Sequence, residues 1–91
     1  MPILLVTYDI NKEGTSHTDR DKLLEFIKSQ SSWAYLSESA YAVETNSSPT
    51  QLFEAAKKFL DENDSLMIFT LSAPYFGRHS QDVIDWFASK L

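Results

Sequence analysis

Ile3-Leu4-Leu5-Val6-Thr7-Tyr8-Asp9-Ile10 is the stretch on which the fold turns. Four apolar residues, β-branched in part, stop abruptly at polar ones. A central strand covered on both faces has this pattern, and periodicity alone leaves a buried helix segment open. The shortness of the run and the loop-like Asn11-Lys12-Glu13-Gly14-Thr15-Ser16-His17 behind it select strand. Asp9 is the anomaly: a carboxylate at the end of such a strand either caps the chain turn or faces a site.

Beyond that loop, Thr18 is placed to cap a helix, with Asp19 and Asp21 where the helix dipole favours negative charge. Leu23, Leu24, Phe26, Ile27 and Gln30 follow at helical spacing, opposite Lys22, Glu25 and Lys28, and predict a helix from about Asp19 to Ser29. Ser31-Ser32 breaks it. Trp33–Leu36 and Ala40–Thr45 read as two short strands joined through Ser37-Glu38-Ser39, or as one bent strand. In the second, Tyr41, Val43 and Thr45 share one face, and the small Ala40 and Ala42 on the other allow close approach of another surface.

The clearest local signal is Ser48-Pro49-Thr50-Gln51: an N-cap, a proline at N1 and a glutamine at N3 that completes a capping box. The apolar stripe of this helix is Leu52, Phe53, Ala56, Phe59 and Leu60, and Glu54 and Lys58 form an i,i+4 pair. A buried Phe59 would cost about 3–5 kcal/mol on replacement by alanine. Asp61-Glu62-Asn63-Asp64 ends the helix as an acidic turn. Leu66–Leu71 is a second strong strand, apolar on both faces. One face packs on helices; the other needs a cover, because a contiguous exposed patch invites association. Ser72–Arg78 reads as a loop or a short edge strand started by Pro74. Ser80 caps a last helix, with Asp82 in its first turn and Val83, Ile84, Phe87 and Leu91 inside. Trp86 lies off that stripe, packing at its margin, against Tyr75 and Phe76, or against another chain.

The element order is strand, helix, strand, strand, helix, strand, terminal helix. That is an α+β class. With right-handed crossovers the first six elements make a ferredoxin-like split βαβ sandwich (βαββαβ) with an additional C-terminal helix. Its first and third strands are central, a place that suits the two most apolar strands. At 91 residues, positions 1–91 form a single domain.

Thirteen acidic against eight basic side chains leave a net charge of −5. This argues against a nucleic-acid binder, which needs cations to displace phosphate counterions. No cysteine is present, so disulfides, thiolate nucleophiles and cysteine zinc sites are out, and a cytoplasmic location fits. No segment has the roughly 18 apolar residues of a membrane span, and no secretory signal pattern opens the chain.

Val6-Thr7-Tyr8-Asp9-Ile10, together with the element order, resembles the Cas2-like superfamily, including small bacterial and phage proteins of the "SinR family". The resemblance covers most of the chain and implies a homodimer. It also implies, for some members, a Mg²⁺-dependent nuclease whose strand-end aspartates meet near the two-fold axis, a role that falls to Asp9. The arginine-rich helix start common in Cas2 proteins is reduced here to Arg20.

Other candidates come from the residues themselves. Arg78 and His79, beside the start of the last helix, form a cationic spot suited to phosphate or another anion, or His79 pairs with Asp82. A cluster of Lys12, Arg20, Arg78 and His79 on one rim would favour nucleic acid. His17 is a surface loop residue. Asp61, Glu62 and Asp64 lack the calcium-loop pattern, and two glycines make no phosphate loop. Trp33, Tyr35, Tyr75, Phe76 and Trp86 suit a protein interface better than base stacking, which needs basic neighbours. These features favour a small, acidic, non-catalytic interaction or adaptor module that acts as a homodimer and needs no cofactor. The alternative is a Mg²⁺-dependent endonuclease with Asp9 as catalytic and metal-binding residue.

Overall fold

β1 (Ile3–Asp9) forms where the opening apolar run predicted it. The structure, a computed structural model, describes residues 1–10 and 17–91. Residues 11–16, Lys12 among them, and the side chains of residues 17–19 lie outside what is described; the first helix begins at His17, so His17 is not a loop residue and Thr18, the expected cap, stands inside the helix. The chain continues through α1 (His17–Lys28), β2 (Ser32–Ser37), β3 (Ala40–Glu44), α2 (Pro49–Ala56), β4 (Ser65–Leu71) and α3 (Gln81–Lys90). This is a small α+β domain with one four-stranded antiparallel sheet, ordered β2-β3-β1-β4. The order is consistent with a ferredoxin-like arrangement. One expectation needs correcting. Of the two most apolar strands only β1 is central; β4 is an edge strand and the plainer β3 takes the second central place. The first and third strands are central, in keeping with the expected order; what fails is the link between apolar composition and a central place, which the crossovers decide.

Alternation splits each strand between two faces. On the inner face Leu4, Val6, Tyr8, Tyr41, Val43 and Leu66 pack against Leu23 and Ile27 of α1 and Leu52 and Ala56 of α2. Leu4, Leu23 and Val43 are fully buried, each stabilising the fold by roughly 1.5–3 kcal/mol. Gln30, predicted on the apolar stripe of α1, instead caps its end: Nε2 donates to the Phe26 carbonyl at 3.1 Å, and Oε1 accepts from the buried Thr45 hydroxyl at 2.9 Å. No buried side-chain nitrogen or oxygen among the described residues is left without a hydrogen-bond partner.

α2 begins as its sequence dictates. The Ser48 hydroxyl accepts from the Gln51 N–H at 3.1 Å, and the Gln51 side chain accepts from the Ser48 N–H at 2.9 Å. Its end differs from expectation. After Ala56 the chain tightens into a 3-10 turn over Lys57–Phe59. Glu54 pairs with Lys57 at 2.6 Å, an i,i+3 pair, rather than with Lys58 as expected. Phe53 is exposed, and Phe59 is half-buried with its ring 6.0 Å from that of Phe26. The full aromatic-to-alanine cost expected of a buried Phe59 therefore does not apply.

Candidate functional site

The outer face of the sheet is half covered. α3 lies over β2 and reaches β3 through Lys90; Ala34 and Ala42 are buried on this face, so of the two small residues expected to admit another surface Ala42 is covered and Ala40 half-buried. Three ties hold the helix and its lead-in: Trp86 Nε1–H donates to Ser32 Oγ at 2.8 Å, Lys90 Nζ to Glu44 Oε1 at 3.2 Å, and His79 Nε2–H to the Leu36 carbonyl at 2.7 Å. The Ser80 cap of α3 forms as predicted, with its hydroxyl accepting from the Val83 N–H at 3.4 Å.

Above β1 and β4 the cover is partial among the described residues: Ile3 is buried and Leu5 and Leu71 are half-buried, while Phe69 and Met67 further along lie open. Register places Asp9 beside Ser65, Thr7 beside Met67 and Leu5 beside Phe69. Cross-strand partners share a face, so these six side chains make one outer strip. Met67 is 57% and Phe69 47% exposed. Their neighbour Leu66 is buried on the inner face and Ile68 packs there too. Met67 and Phe69 were not singled out from sequence as interface residues. The parity of 66–71 against the odd positions of β1 was the available signal.

Residues 72–80, which leave β4 without forming a strand, cross the same face. With α3 they enclose an apolar recess of about 260 Å³ lined by Leu5, Leu71, Tyr75, Ile84 and Phe87, with Arg78 and His79 at its border. Tyr75 packs against Phe87, ring centroids 5.6 Å apart. Phe76 stands fully exposed at 104%.

The sequence-derived interface set is thus divided. Tyr75 and Phe76 lie on the outer side. Trp33 and Tyr35 line edge strand β2, with their rings 5.9 and 5.5 Å from that of Tyr41 on the inner side, and Lys28 Nζ lies 5.0 Å from the Trp33 ring centre. Trp86 is half-buried within its own chain, edge-on to Phe87 at 5.4 Å.

Arg78 and His79 are exposed. Ser80 N–H donates to His79 Nδ1 at 2.8 Å, which puts the ring proton on Nε2, where Leu36 takes it. A bulge between Tyr35 and Ser37 interrupts the β2–β3 ladder at the same place. The four-residue cationic rim is not assembled. Arg20 faces the inner side, close enough to Tyr8 and Tyr41 to favour their phenolates; Arg78 and His79 are on the other side; Lys12 is undescribed. Burial, and next the neighbouring Tyr41, push the Tyr8 phenol up to about 12 from its ordinary 10.0. Its hydroxyl donates to the Glu38 carbonyl at 2.7 Å, tying the β2–β3 turn to β1.

Asp9 is exposed at the end of β1. Among the described residues no group of three or more His, Asp or Glu is placed to hold a metal ion. The acidic turn is a closed local structure: Asp61 N–H donates to Asp64 Oδ2 and Asn63 N–H to Asp61 Oδ1, both at 3.0 Å. No described helix is long and apolar enough to cross a membrane.

No family model matches the sequence. No curated protein matches it. Among solved structures the fold is similar to that of the hypothetical protein TT1823 from Thermus thermophilus, with 22% identity and a TM-score of 0.65 over 87% of this chain and 92% of that one. At that identity the likeness establishes a common α+β fold and nothing of function.

Proposed function

We propose that this chain is a non-catalytic interaction or adaptor module that works as a homodimer through the outer face of its sheet. The exposed Met67 and Phe69 carry this proposal: two large apolar side chains of one edge strand, side by side on the outer face of the sheet, that the chain leaves open. A contiguous apolar patch bordered by polar residues is characteristic of an association surface. We further assign the chain a ferredoxin-like βαββαβ fold with an added C-terminal helix, membership of the Cas2-like superfamily, and a cytoplasmic location that accords with the absence of cysteine. The test is a solution mass by sedimentation equilibrium across a wide concentration range. A mass of twice the chain is expected; a monomer at every concentration would overturn the proposal.

One observation favours a second function, the Mg²⁺-dependent nuclease. Asp9 lies on the same strip as Met67 and Phe69, so a dimer formed through that strip draws its two copies toward one axis. The donor set fits Mg²⁺ only in a dimer, as one carboxylate from each copy with water completing the shell. Once bound, such an ion supplies water activation and charge stabilisation at phosphorus. Calorimetric titration with Mg²⁺ and Mn²⁺, and cleavage assays on single- and double-stranded RNA and DNA, test it against Asp9→Asn. Binding and cleavage lost in the variant, with the dimer intact, would establish it. Equal behaviour of the two proteins would exclude Asp9 chemistry.

A further inference from the structure

Phe76 is an apolar side chain that its own chain leaves entirely in water. It stands on the outer side of the sheet, at the border of the apolar recess, and so shares that side with Met67 and Phe69. We infer that these features form one reciprocal contact, in which Phe76 of each copy packs on the Met67–Phe69 strip of the other. This rests on the homodimer proposed above and names its contacts.

Three observations support the pairing. Charge is the first. Two copies each at −5 repel, so their contact belongs where charge is absent. Met67, Phe69, Tyr75 and Phe76 are all uncharged. Area is the second. With ~150–250 Å² for a whole aromatic side chain, the exposed parts of these four residues come to roughly 500 Å², over half of the ~800 Å² each partner gives to a standard interface. Symmetry is the third. A two-fold interface repeats every contact, so one projecting ring and one receptive strip per chain satisfy each other twice. The thioether of Met67 is a favourable partner for an aromatic edge.

The experiment pairs two charge variants, Phe76→Glu and Phe69→Lys, with Met67→Lys as an alternative strip variant should Phe69→Lys lose its circular dichroism spectrum. Each variant alone breaks both copies of the contact, so its dimer should weaken by about 100-fold or more. An equimolar mixture should recover dimers. A mixed pair keeps one native contact and, in the other, sets the introduced glutamate of one copy against the introduced lysine of its partner. Monomeric variants that re-associate on mixing establish the pairing. Monomeric variants that stay monomeric when mixed overturn the pairing and leave the outer-face dimer standing. Variants that dimerise like the parent overturn the pairing and the outer-face location together. A monomeric parent chain overturns the homodimer itself.

Discussion

Leu66 and Met67 are neighbours in one strand and equally apolar, yet Leu66 is 7% exposed and Met67 57%. The pair contrasts the two faces of the sheet. The inner face is roofed by two helices whose stripes were patterned to meet it. The outer face is roofed by one helix and the 72–80 segment, which together leave Met67 and Phe69 bare. An apolar residue is buried by what the chain lays over it, and β4 shows one strand serving a finished surface and an unfinished one.

Substitution can break this contrast most sharply at the roofed face. Leu23→Ala should cost about 2–5 kcal/mol by urea denaturation, through lost transfer energy and a cavity. Met67→Ala, measured on dissociated chains, should stay within about 0.5 kcal/mol of the parent. Similar losses at the two sites would erase the contrast. Tyr8→Phe sharpens it from the inner side by removing the bond to the Glu38 carbonyl, for about 0.5–1.5 kcal/mol. The same residue sets an alkaline limit. A phenol held at about 12 when folded and 10.0 when unfolded keeps its proton longer in the native state. Its contribution is therefore complete below pH 10 and fades as pH rises to about 12. Denaturation followed across that range should show a falling stability that Tyr8→Phe flattens; an unchanged slope would assign the loss elsewhere. Trp86→Phe tests the partial roof, since it frees α3 from Ser32 and should make amide exchange along α3 faster while leaving α1 unaffected. The smallest effect is expected away from both faces. Glu54→Ala breaks an exposed ion pair and should move stability by no more than about 0.5 kcal/mol in a thermal melt.

Local chemistry was legible in the sequence wherever a residue acts on its own neighbours. Ser48, Pro49 and Gln51 specify the start of α2, and Ser80 that of α3, because capping is settled within four residues. The strands of β1 and β4 were legible from their apolar runs. The edge position of β4 followed from the expected topology, with the first and third strands central, but not from its apolar run, which suggested a central place. The same holds for the site. Asp9, Tyr75 and Phe76 were picked out as residue types. That Trp33 and Tyr35 belong to one side of the sheet and Tyr75 and Phe76 to the other is a property of packing. Lys57 rather than Lys58 is the partner of Glu54, since spacing offers a helix both an i,i+3 and an i,i+4 neighbour and does not choose between them.

The hydrogen bond from His79 to Leu36 has a consequence for growth. It occupies a carbonyl at the bulged end of β2, where another strand would otherwise add. One hydrogen-bonding position at that end of the β2 margin is thereby spent on the chain's own histidine, so a strand laid along β2 would have to find its register nearer Ser32.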